Sequence, residues 1–263
     1  MSEKADFFIL GSDQVWNPSW YTSSEYKKDL FLLTFCEDEK KYVCLQALAL
    51  VLCRVSGSLG SKNIWLEFRL FLCVKKKVLR FSKNLIGKRA EVLIDPTLML
   101  SKQKWLQIAN VPKNTDQLGK YVLTYFLGGR SDEVEMHLSN LRKQGFQVIN
   151  LFSETDPEYY AMGPAEFVYL VSKANLILTD SFHACVFSFI FEKPFLVYPR
   201  GDNERNMISR LDTLLKKFHL ERKYAYSGIK NELFETNYDE GYKQLEIERK
   251  KTMDFLKKSL NLI

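Results

Sequence analysis

Two strongly apolar runs flank a short polar segment in the C-terminal half, and this pattern limits the fold more than any other feature. The run NLILT (175–179) has the length of a buried strand, and ACVFSFIFEK (184–193) is long enough for a buried helix. Pro194 ends the helical pattern, and FLVYP (195–199) predicts a second strand. The polar segment TDSFH (179–183) is therefore predicted to lie on the strand-to-helix turn of a β-α-β unit.

Strand and helix patterns alternate along much of the remaining chain, which predicts an α/β fold built from parallel β-α-β units. The predicted strands cover 6–10, 90–96, 120–129 and 146–152, and the predicted helices cover 132–145, 163–174, 206–220 and 238–260. The last helix carries a charge run that predicts a solvated outer face: Glu246, Glu248, Arg249, Lys250 and Lys251. Residues 42–82, in contrast, show no clean helix or strand period.

The chain length and one polar stretch predict two domains. A chain of 263 residues can form one large domain or two of ordinary size. The polar stretch at 112–117 comes directly before a new strand pattern. We therefore place the boundary there, with an N-terminal domain at 1–115 and a C-terminal domain at 116–263.

The composition favours a globular protein whose partner is anionic. Hydrophobic residues make up 46% and charged residues 27%, which argues against disorder. The net charge of +6 is too mild and too evenly spread to predict nucleic-acid binding. It suits an anionic small substrate or an anionic lipid surface equally well.

The sequence predicts a cytoplasmic protein without a membrane segment or a metal site. No apolar run reaches roughly 20 residues, and the N-terminus lacks the layout of a signal peptide. None of the cysteines forms a CxxC pair or lies at metal-ligand spacing from a histidine, so reduced thiols are expected at Cys36, Cys44, Cys53, Cys73 and Cys185.

The turn TDSFH contains the first candidate functional residues. Asp180 or Ser181 can cap the following helix, and capping alone would explain both residue types. His183 would then lie in the first helical turn, where the helix dipole disfavours its protonation and attracts an anion. A neutral histidine there can transfer a proton near neutral pH, whereas the alternative is a core histidine bonded to a carbonyl. The carboxyl end of a strand is where such sheets bind ligands, which favours a functional role.

Three arginines follow the second strand of this unit. Arg200 comes directly after it, so Arg200 and His183 should open into one crevice if both strands are parallel. The planar guanidinium suits phosphate and carboxylate groups because it makes paired hydrogen bonds. Arg205 and Arg210 lie further along, and each of the three could instead be a solvated surface arginine. For Arg210 the surface interpretation is preferred.

Two other strand ends carry candidate binding residues. GSDQVWNP (11–18) follows the first predicted strand and combines polar with aromatic residues, as sugar sites do; the alternative is a turn over a packed tryptophan. LGGR (127–130) could hold a phosphate through backbone amides, although a lone Gly-Gly is a weak signal. No complete dinucleotide-binding or P-loop motif is present, so neither a nicotinamide enzyme nor a P-loop nucleotidase is supported.

Several of these strings together resemble the polysaccharide pyruvyl transferase family. The matching strings are FILGSDQVWNP near the start, EVLIDPTLML (91–100), NLILTDSFHACVFSFIFEKPFLVYPR (175–200) and SRLDTLL (209–215). The resemblance covers residues 6–41 and about 83–263. It implies two facing Rossmann-like domains in a GT-B-like arrangement, with the acceptor on the N-terminal and the donor on the C-terminal side. It also implies transfer of pyruvate from phosphoenolpyruvate to sugar hydroxyls of a cell-surface polysaccharide.

The resemblance implies roles for individual residues. His183 would be the acid or a phosphate ligand, and Asp13 would orient or deprotonate the acceptor. The donor would be bound by Arg200, Arg205, Ser181 and Asp180, and the saccharide acceptor by Gln14, Trp16 and Asn17. The reaction would require no metal or redox cofactor. A lipid-linked acceptor would bring the protein to the inner face of the membrane.

The chain also departs from the family pattern. Ser181 stands where some members carry arginine, and the chain starts closer to the GSDQ segment than members usually do, which implies an incomplete N-terminal domain. Residues 42–82 do not resemble the family, and a compensated frameshift would explain them. Two alternatives stay open: a GT-B glycosyltransferase that uses a nucleotide sugar, and a degenerate, non-catalytic fragment.

Overall fold

The computed structural model describes residues 8–11, 41–45, 71–73 and 90–262, with gaps at 114, 116–117, 155, 201–204, 226–232, 235–236 and 261. At 8–11, 41–45, 71–73, 90–91 and 205–209 it describes the backbone alone. The chain divides into two compact units. One comprises Met1–Met99 with Leu245–Ile263, and the other comprises Leu100–Gln244.

The first unit contains a parallel sheet of four strands. These are β1 (Phe8–Gly11), β2 (Lys41–Leu45), β3 (Phe71–Cys73) and β4 (Ala90–Val92), hydrogen-bonded in the order β1-β2-β3-β4. Strands β1 and β4 confirm two predicted strands. Strands β2 and β3 fall in or beside the stretch for which no strand period was found. Their sequences, KYVCL and FLC, are almost continuously apolar, as inner strands of a parallel sheet often are, so they show no alternation.

The C-terminal part of the last helix packs in the first unit. The prediction that its charge run is solvated is wrong in part. Leu93 packs against Phe255, Leu256 and Leu260. Arg249 Nε donates a hydrogen bond of 2.7 Å to the carbonyl oxygen of Leu98, and Glu248 is only 8% exposed. The predicted solvated charge run is therefore wrong for these two residues, because they lie on the side of the helix that packs.

The second unit contains a second parallel sheet with helices between its strands. Its strands are β5 (Tyr121–Tyr125), β6 (Gln147–Leu151), β7 (Leu176–Thr179) and β8 (Phe195–Val197). The helices, numbered along the chain, are α1 (Lys102–Leu106), α2 (Asp132–Lys143), α3 (Pro157–Tyr160), α4 (Pro164–Lys173), α5 (Phe182–Ile190), α6 (Arg205–Lys217) and α7 (Asp239–Ser259), the last of which continues into the first unit. All strands and long helices predicted in this part of the chain are confirmed.

Local sequence signals explain where these helices begin and end. Ser131 caps α2 by accepting a hydrogen bond from the amide of Val134, and three acidic residues occupy the first turn, where they complement the helix dipole. Gly145, with φ of +86°, ends this helix in the left-handed conformation that glycine tolerates best. Pro164 starts α4 because its fixed φ suits the first helical turn.

The strand order places a switch point between β5 and β7. The sheet runs β6-β5-β7-β8, and every neighbouring pair is parallel. The chain leaves β5 for β6 on one side and later returns to β7 on the other. The loops after β5 and β7 therefore diverge and open a crevice at the carboxyl ends of these strands, where open α/β sheets bind ligands.

Helix α5 belongs to the core of this unit, and one of its side chains is only partly buried. Of its nine residues, all but His183 are buried. Such a helix is fixed by the surrounding core, which includes the completely buried strand β7. Because this packing is rigid, it holds the first turn of α5, which includes His183, at a defined place on the sheet edge.

Candidate functional site

The TDSFH turn forms a capped helix start. Ser181 has extended backbone dihedral angles, and its hydroxyl accepts a hydrogen bond from the amide of Ala184. Its own amide donates to the hydroxyl of Thr179 at 2.9 Å. Of the two residues predicted as possible caps, Ser181 is the cap. His183 is the second residue of the helix, as predicted.

Asp180 ties together the three loops at this edge of the sheet. Its carboxylate accepts hydrogen bonds from the amides of Leu127 and Gly128, at 2.8 and 2.9 Å, and from Nε of Arg200 at 3.1 Å. These donors come from the loops after β5 and β8. The glycine turn LGGR therefore presents two of its amides to an anion that the protein itself supplies.

Arg200 contacts Asp180 at this edge of the sheet, and a crevice shared by Arg200 and His183 stays a prediction. Its side chain is 11% exposed and its partner Asp180 is 1% exposed. The Nη2 atom of Arg200 is buried and has no hydrogen-bond partner among the described residues. A buried guanidinium nitrogen normally has a partner, so this atom is a candidate contact for an anionic ligand.

His183 lines a cavity of about 320 Å³ that opens beside the start of α5. The cavity lies at the carboxyl ends of β5 and β6, where Tyr125 and Leu151 contribute to its wall. The imidazole packs edge-on against Phe182, with ring centroids 5.4 Å apart. The histidine thus combines a fixed position with access to a space of ligand size.

Burial changes the acidity of two groups near this site. Burial raises the pKa of the Tyr125 phenol; the charge of Asp180 adds to this rise, and that of Arg200 opposes it. Burial also raises the pKa of the Cys185 thiol, and Asp180 raises it further. Cys185 lies close to a helix N-terminus, which favours a thiolate, but desolvation outweighs that effect here. Cys185 is therefore a neutral packing residue.

The preferred surface interpretation of Arg210 is wrong. Arg210 is 1% exposed, and its guanidinium carbon lies 4.2 Å from the centre of the Phe182 ring. The apolar face of α6 packs against the unit and carries Arg210 inward beside Leu211 and Leu214, which are also buried. The structure thus places a second arginine against the first residue of α5.

A comparison with models of protein families found a match that includes the site. Residues 75–203 match the family model described as polysaccharide pyruvyl transferase, and the match includes β7, α5, β8 and both His183 and Arg200. This part of the chain is similar to the polysaccharide pyruvyl transferase family. A search of the curated proteins found no match to the chain.

The pyruvyl transferase match confirms the resemblance in part of its predicted extent. It begins at residue 75 and ends at residue 203, so the strings at 6–41 and 209–215 lie outside it. Residues 75–82 lie inside it, so the prediction that 42–82 do not resemble the family is wrong for these residues. The matched segment supports a transferase with a saccharide acceptor. The two-domain GT-B arrangement and the individual roles of the site residues remain predictions.

Some predicted site residues lie outside the described part of the chain. These are Asp13, Gln14, Trp16 and Asn17, for which the structure gives no position. Arg205 begins α6, but only its backbone is described. Of the predicted donor residues, the structure brings Asp180, Ser181 and Arg200 together around the start of α5.

A polar network that was not predicted from the sequence lies at the ends of β5 and β6. Thr124 and Arg130 both donate to the side-chain oxygen of Asn150, at 2.8 and 2.6 Å. The amide group of Asn150 donates to Asp156 at 2.7 Å. Polar residues at corresponding ends of two neighbouring strands were the available signal. The network fixes Arg130 at the sheet edge.

The described residues contain neither a metal cluster nor a membrane span. No group of three or more His, Cys, Asp or Glu side chains in this part of the chain could hold a metal ion. None of the described helices is long and apolar enough to cross a membrane.

Proposed function

We propose that the protein transfers the pyruvyl group of phosphoenolpyruvate to hydroxyl groups of a cell-surface polysaccharide or its precursor. The family match supports a pyruvyl transferase-like function for residues 75–203. One observation carries the assignment of the donor: Nη2 of Arg200 is buried and has no hydrogen-bond partner among the described residues. Nε of the same side chain donates to Asp180, the residue before the cap of α5.

The proposed donor site matches the chemistry of phosphoenolpyruvate. The donor carries a phosphate and a carboxylate, and both are bound well by a guanidinium fork and by a helix N-terminus. Asp180 is already compensated by two amides and by Nε of Arg200, so its charge opposes an incoming anion less. The free edge of Arg200 would contact the donor, with Arg205 as a second candidate.

His183 would act as the acid. It would give a proton to the methylene carbon of phosphoenolpyruvate, which makes that carbon a methyl group and leaves an oxocarbenium-like centre at the neighbouring carbon. One sugar hydroxyl forms a C–O bond to this centre. A second hydroxyl then displaces phosphate and closes the ketal. Of the two hydroxyl protons released, one restores the acid and the other leaves with phosphate, so the step requires no oxidant or reductant.

The acceptor side of the proposal follows from the resemblance. Asp13 would take the hydroxyl proton, and Gln14, Trp16 and Asn17 would contact the saccharide. Ser181 would contribute to the donor site by holding the helix start, because its hydroxyl is used in the cap. The reaction would take place in the cytoplasm, at the inner face of the membrane when the acceptor is lipid-linked, and without a metal or redox cofactor.

A direct activity assay tests this proposal. The full chain is incubated with phosphoenolpyruvate and a mixture of methyl glycosides, and phosphate release is measured together with product mass. We expect products equal in mass to glycoside plus pyruvate minus one water. His183→Gln should lower the rate by about 10²–10⁴-fold. The exposed His219, which has a left-handed φ of 57°, offers His219→Asn as a matched control.

The outcomes separate the alternatives. Product from the parent and from His219→Asn, with a large loss in His183→Gln, supports the proposal. Equal rates in His183→Gln and the parent would overturn the role of His183. A folded parent that releases no phosphate with any glycoside would favour another donor or a degenerate fragment.

A further inference from the structure

The cavity beside His183 is lined mainly by aromatic rings. Besides His183, its wall includes the rings of Tyr125, Phe152, Tyr159, Tyr160, Phe167 and Phe187. These rings come from β5, from the loop after β6 and from helices α3 to α5, which converge only at this edge of the sheet. Such a concentration of aromatic surface differs from the charged site expected for the donor.

Two of these rings are held in an exposed position at a cost in stability. Phe152 has a φ of 58°, a left-handed conformation that bulky side chains rarely adopt. It is 56% exposed and stacks on Tyr160, which is 47% exposed, with centroids 5.8 Å apart and planes 20° from parallel. A strained residue that presents a large apolar ring to solvent points to a binding role, because strain of this kind persists chiefly at functional sites.

The chemistry of the cavity wall limits what can occupy it. Among the described residues, the wall contains one imidazole, that of His183, and no carboxylate, lysine or arginine. Burial raises the pKa of both Tyr125 and Tyr159, so their phenols stay neutral and can donate or accept hydrogen bonds. Such a wall disfavours an anion and suits a neutral ligand that has an apolar face and a hydroxylated edge.

We propose that this cavity is a subsite for one pyranose ring of the saccharide acceptor. The apolar C–H face of a sugar complements the negative face of an aromatic ring. The volume of about 320 Å³ is at the lower end for ligand sites, which favours a single ring over a complete nucleotide sugar. This inference rests on the proposed function, because His183 would then lie between the donor anion and the sugar hydroxyl that attacks it.

The test measures sugar binding directly on the full chain. Methyl glucoside, methyl galactoside and methyl mannoside are each added at millimolar concentration and observed by saturation-transfer NMR. Phe152→Gly removes the ring and relieves the left-handed strain, so the variant should fold even if Phe152→Ala does not. The pair Phe146 and Phe234, also stacked and with Phe234 42% exposed, provides Phe234→Ala as a matched control.

We expect at least one glycoside to give ring-proton signals with the parent and with Phe234→Ala. Phe152→Gly should weaken that binding about tenfold or more while phosphoenolpyruvate binding, followed by calorimetry, stays unchanged. Phosphoenolpyruvate binding without any glycoside signal would overturn the subsite but leave the proposed function standing. Uridine diphosphate signals at this cavity in place of glycoside signals would overturn the subsite and favour a nucleotide-sugar donor. Glycoside binding without phosphoenolpyruvate binding would retain the subsite and contradict the proposed donor.

Discussion

The Nε atom of Arg200 lies 3.1 Å from Oδ2 of Asp180, and these side chains are 11% and 1% exposed. The same carboxylate accepts the amides of Leu127 and Gly128. A single buried group thus connects the loops that follow β5, β7 and β8, on both sides of the switch point. The candidate donor site has this network as its structural support.

Asp180→Asn should be strongly destabilising. The substitution keeps the shape of the side chain but removes the charge that compensates Arg200, and it places an amide donor against other donors. Breaking a buried ion pair in this way costs about 3–5 kcal/mol, which urea unfolding of the full chain would measure. The exposed pair of Lys102 and Glu192, at 2.9 Å, supplies the control: Lys102→Gln should cost less than about 1 kcal/mol. Similar losses in the two variants would contradict a special role for the buried network.

Arg210→Ala should also destabilise the fold. The side chain is buried against the Phe182 ring, so truncation removes packing contacts as well as a cation–π contact. We expect a loss of about 3 kcal/mol in the free energy of unfolding. The exposed Arg142 at the end of α2 is the matched control, and Arg142→Ala should cost less than about 1 kcal/mol. If Arg210→Ala lowered the free energy of unfolding as little as the control does, Arg210 would be a surface residue and the account of its burial would be wrong.

Alkaline pH should destabilise the protein through two buried tyrosines. The phenols of Tyr121 and Tyr238 donate to the carbonyl oxygens of Leu170 and Lys193, both at 2.6 Å, and burial raises the pKa of each phenol. The unfolded chain loses these protons near pH 10, whereas the folded chain retains them. Stability is therefore complete below about pH 10 and falls above it, by about 1.4 kcal/mol per pH unit for each group. Thermal unfolding between pH 8 and 11 would show this fall. Tyr238→Phe should reduce the slope, and an unchanged slope would contradict the assignment.

Gly241→Ala should be destabilising although alanine favours helices. A Cβ atom at Gly241 would lie 2.8 Å from the carbonyl oxygen of Phe218 and 3.0 Å from the ring of Phe189. The clash should lower the free energy of unfolding by about 1–3 kcal/mol, which exceeds the stabilisation expected from the higher helix propensity of alanine. A Cβ at Gly119 would meet nothing within 4 Å, so Gly119→Ala should change stability by less than about 1 kcal/mol in the same denaturant titration. A more stable Gly241→Ala would show that α7 is not packed this closely.

The β7-α5-β8 unit could be predicted because every signal for it is local. The lengths of the apolar runs and Pro194 fix the two strands and the helix, and the order strand, cap, helix places His183 in the first turn. These signals depend on the covalent sequence and on the periods of helices and strands. They hold for any protein that buries this segment.

Other parts of the site depend on contacts between distant residues, which local patterns do not contain. The burial of Arg210 in α6 could not be predicted, because helical periodicity marks apolar residue types and not a charged residue that flanks them. The aromatic cavity assembles rings that are up to 62 positions apart in the chain, from Tyr125 to Phe187. The bonds from Leu127 and Gly128 to Asp180 exist only because β5 and β7 are neighbours.

Calorimetry with phosphoenolpyruvate tests the central claim most directly. The full chain would be titrated as the parent, as His183→Ala, as Arg200→Ala and Arg200→Lys, and as the Arg142→Ala control, with circular dichroism to show that each is folded. We expect that the parent and the control bind phosphoenolpyruvate and that the folded variants at His183 and Arg200 bind it about tenfold or more weakly. A folded parent that does not bind phosphoenolpyruvate, or folded variants that bind it as tightly as the parent, would contradict the account.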